Sequence, residues 1–133
     1  MSDKIYLLER DKINLLKLIE TAKYIEYKQN KYINALEAEI DRAVITDEVH
    51  LPADVVTMHS KILLSVDGID EEITLVYPDE ADIKRDRISV LSPMGTAILG
   101  YSEGSIIKWQ IPSGTALIEI KKVLCRQEAL RIP

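Results

Sequence analysis

Apolar residues recur at helical spacing through the N-terminal part of the chain and give way to short strand-like runs beyond it. Leu15, Leu18, Ile19 and Ala22 fall three and four apart, and so do Ile33, Leu36, Ile40 and Ala43. Each set makes one apolar stripe on a helix, with Lys17, Glu20, Glu37, Glu39 and Asp41 largely on other faces. Between the stripes, Glu26-Tyr27-Lys28-Gln29-Asn30-Lys31 carries one aromatic and no aliphatic residue. A helix running straight through would leave both stripes in water. Folding back at Glu26–Lys31 lets them cover each other, so the spacing predicts an antiparallel helical hairpin, a short coiled coil. Each arm of about 14–16 residues would be roughly 21–24 Å long. A single continuous helix that pairs with a second copy is the alternative, because no Gly or Pro compels the turn. The expected state is a monomer.

The pattern changes after Leu51. Neither Gly nor Pro occurs up to that point, and all five of each lie from Pro52 onward. These residues punctuate turns, so residues 51–133 read as strands after a helical unit at 1–50. Candidate strands are Val55–Met58, Ile62–Val66 before the turn signal Asp67-Gly68, Ile73–Tyr77 ending at Pro78, and Ile88–Leu91. Ser92-Pro93 opens a short helix, with Ser as N-cap and Pro in the first turn, and Gly100 closes it. Ser105–Ile111 and Thr115–Val123 flank Pro112-Ser113-Gly114, a hairpin signal. The predicted class is α+β, with an antiparallel sheet covered on one face by one short helix.

Composition narrows the chemistry. The chain has 133 residues, 47% hydrophobic and 29% charged, with a net charge of −5. That balance suits a folded domain and disfavours a protein that works by neutralising many phosphates, so contact with DNA is expected only indirectly, through a protein partner. Cys125 is the single cysteine and supplies neither a disulfide framework nor a zinc site. No run approaches the ~20 apolar residues of a membrane helix, and no signal peptide is visible, so the expected location is cytoplasmic. His50 and His59 have no regular metal-ligand spacing with Cys125 and read as surface residues. Gly95, Gly100 and Gly104 fit no phosphate loop, and G-x-S-x-G is absent. The acidic run Asp79-Glu80-Ala81-Asp82 reads as a solvated loop beside Lys84, Arg85 and Arg87. No metal or cofactor is expected.

Longer blocks carry more. Asp79-Glu80-Ala81-Asp82-Ile83-Lys84, then Ile88-Ser89-Val90-Leu91-Ser92-Pro93-Met94-Gly95-Thr96-Ala97-Ile98-Leu99-Gly100, with Gly104–Ile107 and Ile111–Gly114 following in order, resemble the C-terminal domain of bacterial Gre transcription factors. Leu36–Ala43 and Asp54–Ser60 look more like the Rnk branch, the regulators of nucleoside diphosphate kinase. The resemblance implies an FKBP-like domain and a bacterial RNA polymerase partner. It places the hairpin toward the polymerase secondary channel and the globular domain on a coiled coil at the channel rim. By position, Ser92, Pro93 and Met94 match the family segment at the rim, and Asp79, Glu80 and Asp82 the adjacent acidic loop. Tyr24, Glu26, Tyr27 and Lys28 would form the hairpin tip.

The chain departs from the Gre pattern at that tip. Gre factors stimulate transcript cleavage with clustered acidic residues there, which help hold a metal ion. Here Glu26 stands alone among Lys23, Lys28 and Lys31, and the arm is shorter. The resemblance therefore implies a regulator that competes with Gre factors and lacks cleavage stimulation. A Gre-like cleavage factor and an FKBP-like interaction module are the alternatives. Peptidyl-prolyl isomerisation needs an aromatic-lined pocket. The chain has no Phe, and after Leu51 only Trp109, Tyr77 and Tyr101 are aromatic, so the expectation is not an enzyme.

Overall fold

The computed structural model describes residues 4–25, 31–111 and 114–126. Helices α1 (Glu9–Ile25) and α2 (Lys31–Arg42) carry the two apolar stripes. Leu15, Ile19, Ile33, Leu36 and Ile40 are buried, and Leu18, Ala22 and Ala43 are partly so. Glu9 and Asp11 in the first turn of α1 and Lys23 in its last match the helix dipole. Lys23 Nζ lies 2.7 Å from Glu37 Oε1, which ties the end of α1 to α2. Of the anticipated turn at Glu26–Lys31, residues 26–30 lie outside the described residues, and Lys31 already opens α2.

The helices stand on a small sheet that periodicity did not announce. Strand β1 (Tyr6–Leu8) leads into α1, and β2 (Val44–Thr46) follows α2. They pair in parallel, Tyr6 opposite Val44 and Leu8 opposite Thr46. Parallel neighbours need a long crossover, and here the two helices supply it. Ile5, Leu7 and Leu8 are buried beneath.

The main sheet comprises β3 (Ser60–Val66), β4 (Ile69–Val76), β5 (Arg87–Ser89), β6 (Ile106–Ile111) and β7 (Gly114–Arg126) in the order β5-β4-β3-β7-β6. Asp67 and Gly68 both have positive φ, +49° and +86°, as a two-residue hairpin between β3 and β4 requires. The antiparallel expectation holds for β3, β4, β6 and β7, but β5 joins β4 in parallel. Two register shifts against β3 bend the long β7, so it serves both β3 and β6. The short helix α3 (Pro93–Ile98) forms as expected. Ile62, Leu64, Leu75, Ile118 and Ile120 point into one contiguous core that also holds the stripes of α1 and α2 and Ile98 of α3.

Val55–Met58 is not a strand. Val55 makes an isolated bridge to Ser102, and Val55, Val56, Thr57 and Met58 are all buried. Successive buried residues need cover on both sides, and this stretch finds it between the sheet and the loop after α3. The Val56 amide donates to Tyr101 O at 2.9 Å, and Gly100 N–H donates back to Val56 O at 2.9 Å.

Gly100 is also where the base of the helices meets the sheet unit. Its carbonyl accepts from Tyr6 N–H at 3.0 Å, its φ is +85°, and a Cβ there would lie 2.9 Å from Ile5 Cβ. Gly100→Ala should therefore lower stability by roughly 2–3 kcal/mol, read as a shifted urea midpoint at unchanged slope. On the other side of this joint, Arg42 Nη2 reaches Glu39 Oε2 at 2.8 Å and Tyr101 Oη at 3.0 Å, fastening the end of α2 to the same loop.

Candidate docking site

The segment after Val76 is a chain of short turns, not an open loop. A 3₁₀ turn spans Pro78–Glu80 and a second spans Ile83–Arg85. Asp79 is exposed at the first turn. Asp82 caps the second: its Oδ1 accepts from Lys84 N–H at 3.1 Å, and its backbone exchanges hydrogen bonds with Arg87 at 3.0 and 2.9 Å. Glu80 turns inward, and His59 Nε2 donates to its Oε1 at 2.8 Å. So the acidic run is only partly the solvated loop expected, and His59, only 13% exposed at its side chain, is not a surface residue. Glu80 and His59 are 21 residues apart, and nothing local in the sequence signals their meeting.

Partial burial works against the Glu80 charge. The His59 hydrogen bond and charge, the Tyr77 backbone and Arg87 outweigh it and hold the carboxyl below its ordinary range. A carboxyl lowered on folding contributes stability above its unfolded pKa and loses it as pH falls through the native value. The stability difference between the native chain and Glu80→Gln should therefore narrow as pH is taken from about 7 to about 3, measured by urea unfolding at each pH.

Ser92 is fully occupied by its own turn. Its Oγ donates to Ser89 O at 2.6 Å and accepts from Gly95 N–H at 3.1 Å, the N-cap read from the sequence. Thr96 Oγ1 donates to Val90 O at 2.8 Å, pinning the other side of α3. Pro93 and Met94 are half-buried and face different ways. Pro93 lines a cleft of about 230 Å³ with Ala35 and Glu39 of α2 and Trp109 of β6. Met94 lines a cleft of about 470 Å³ with Ile73, Ile83 and Ile88, rimmed by Glu71, Glu72 and Asp86. Asp79 and Glu80 line a third, open groove of about 580 Å³, opposite Asn14, Lys17, Leu18 and Thr21 of α1. The six residues singled out thus fall on neighbouring turns but are not gathered in one pocket.

Sequence reasoning passed over the acidic rim of the Met94 cleft and Ile83, 84% exposed beside it. An isoleucine between Asp82 and Lys84 carries no periodic signal. At the helical end of the molecule Tyr24 is 87% exposed, while Glu26, Tyr27 and Lys28 lie outside the described residues. Among the described residues, no group of three or more His, Cys, Asp or Glu is placed to hold a metal ion, and no helix is long and apolar enough to cross a membrane.

A capped helix seated on a mixed sheet, with a pair of helices packed into the same core, is an arrangement shared with Gre-type transcription factors. Residues 51–124 match the family described as transcription elongation factor, GreA/GreB, C-term, and the chain belongs to that family. Within it, the regulator of nucleoside diphosphate kinase of Escherichia coli (strain K12) is 37% identical over 99 residues, 72% of this chain and 73% of its own length. Transcription elongation factor GreA of Chloroherpeton thalassium is 35% identical over 106 residues, 78% of this chain and 67% of its own. The solved prokaryotic transcription elongation factor GreA/GreB from Nitrosomonas europaea superposes with a TM-score of 0.73 at 33% identity, covering 91% of this chain and 98% of that one.

Proposed function

We propose that this chain is a cytoplasmic, non-enzymatic transcription regulator. It binds bacterial RNA polymerase at the secondary channel as a monomer, competes with Gre factors and does not stimulate transcript cleavage. The helices, taken as a short coiled-coil hairpin (residues 1–50), point into the channel. The FKBP-like unit (residues 51–133) supplies most of the affinity through Asp79, Met94 and their neighbours, and DNA is met only through polymerase. Family membership supports the partner.

The observation that carries the absence of cleavage stimulation is the connection between the helices. From Tyr24 to Lys31 it holds one carboxylate, Glu26, against Lys28 and Lys31. A divalent cation in an active site needs several oxygen ligands, and one carboxylate facing two ammonium groups is a poor contributor. Two assays on purified core polymerase test the reading. The chain should displace a bound Gre factor saturably, and it should leave a backtracked complex uncleaved. Cleavage abolished by Glu26→Ala would instead establish the Gre-like activity, binding without displacement would overturn the competition, and no binding at micromolar concentrations would remove polymerase as the partner.

A further inference from the structure

We propose that His59 is a positioning residue of the docking face: it anchors Glu80 so that its neighbour Asp79 is presented to the partner. The inference rests on the polymerase-docking reading and assigns different work to two adjacent carboxylates that the sequence presents as equivalents.

The backbone at His59 is the first observation. Its φ is +67°, a left-handed conformation uncommon outside glycine, in which Asn, Asp and His are the residues that most often occur. The fold imposes it from both sides. His59 N–H donates to Leu75 O at 2.6 Å, while Thr57 N–H donates to the Ser60 hydroxyl at 2.9 Å and Ser60 N–H returns to Thr57 O at 3.2 Å. A glycine would meet the same turn without strain. The chain instead carries an imidazole there, and that ring is in use.

Its Nε2 holds Glu80 Oε1 at 2.8 Å, and the ring meets that of Tyr77 edge to face, with centroids 5.7 Å apart and planes at 62°. The ring therefore grips both ends of the turn that carries Asp79. Glu80 N–H donates to Tyr77 O at 2.9 Å, closing the turn from inside. The hydrogen bond is sheltered, since the His59 side chain is 13% and that of Glu80 35% exposed, and a bond screened from water is less easily replaced by one to solvent. Arg87, Tyr77 and His59 all act on Glu80. Asp79 is left exposed, facing the groove shared with Lys17. Glu80 is thus an anchor, Asp79 the contact.

The discriminating pair of variants is His59→Asn and His59→Gln. Asn tolerates the left-handed backbone but is too short to reach Glu80, whereas Gln keeps a donor at longer reach. Two readouts are needed on the full chain: amide hydrogen exchange at Glu80 and Ala81, whose N–H groups close the turn onto Tyr77 O and Pro78 O, and affinity for core RNA polymerase. His59→Asn should speed exchange at these amides and weaken polymerase binding by about fivefold to tenfold, with His59→Gln restoring most of both. Adding Glu80→Gln to His59→Asn should cost no further affinity, because the two residues act as one unit. Unchanged exchange in His59→Asn overturns the tether. Faster exchange with unchanged affinity, or a further loss on adding Glu80→Gln, overturns the positioning role. If the unaltered chain fails to bind polymerase although the exchange pattern holds, the docking reading has failed and the role falls with it, while the tether itself is still recorded by exchange.

Discussion

Gly95→Ala should unseat α3 and lower stability by about 3 kcal/mol or more, a larger loss than any other alanine substitution at a glycine of this chain. A Cβ at position 95 would fall on the carbonyl of Ser89, with the Val90 Cα 2.9 Å away. Backbone atoms cannot swing aside as the end of a flexible side chain can. That carbonyl also accepts from the Ser92 hydroxyl and from Ser92 N–H at 3.0 Å, so moving it disturbs the helix cap as well. α3 would have to lift from β5, exposing Ile98, which is wholly buried, and breaking the Thr96 hydrogen bond to Val90. Urea unfolding monitored by far-ultraviolet circular dichroism checks the loss. A change below about 1 kcal/mol would mean that the close seating of α3 is not needed for stability.

Asp79→Lys combined with Met94→Ala should weaken binding to core RNA polymerase by about a hundredfold, each substitution giving about tenfold. The two residues line different clefts and share no partner in either, so their effects should add. Asp79 is exposed, so reversing its charge should leave the melting temperature almost unchanged. Met94→Ala removes an apolar side chain at a cleft rimmed by Glu71, Glu72 and Asp86, where a partner carrying an apolar residue flanked by basic ones would fit. Ser92 is a poor site for this experiment, because its hydroxyl is the cap of α3 and its loss would cost about 1 kcal/mol of stability by itself. Competition against a labelled Gre factor gives the affinity. A folded double variant that competes as well as the native chain would move the docking face elsewhere.

The readable parts of this protein were those governed by near neighbours in the chain. Leu15, Ile19, Leu36 and Ile40 announce helices because their spacing fixes which side of a helix is apolar whatever lies opposite. Ser92-Pro93 announces α3, and Asp67-Gly68 a hairpin, because each satisfies a local backbone demand. The ordered blocks from Asp79 to Gly114 were enough to indicate the family.

What the sequence did not disclose depends on partners far along the chain. Tyr6–Leu8 becomes a strand only because Val44–Thr46 lies beside it, and three residues are too few to show a period. Val55–Met58 reads as a strand from its β-branched residues, yet the surrounding core takes all four residues inside and leaves no ladder. Arg87–Ser89 joins the sheet in parallel because the two 3₁₀ turns bring it back along β4, a direction no local pattern specifies. The partition of the acidic run is of the same kind: composition shows three equivalent carboxylates at 79, 80 and 82, while the fold leaves one exposed, gives one to a histidine and makes one a cap. Local sequence settles which elements form, since helix stripes, caps and tight turns are short-range demands on the backbone. Tertiary structure alone decides which polar groups stay free to meet a partner, because that depends on which distant groups have already claimed them.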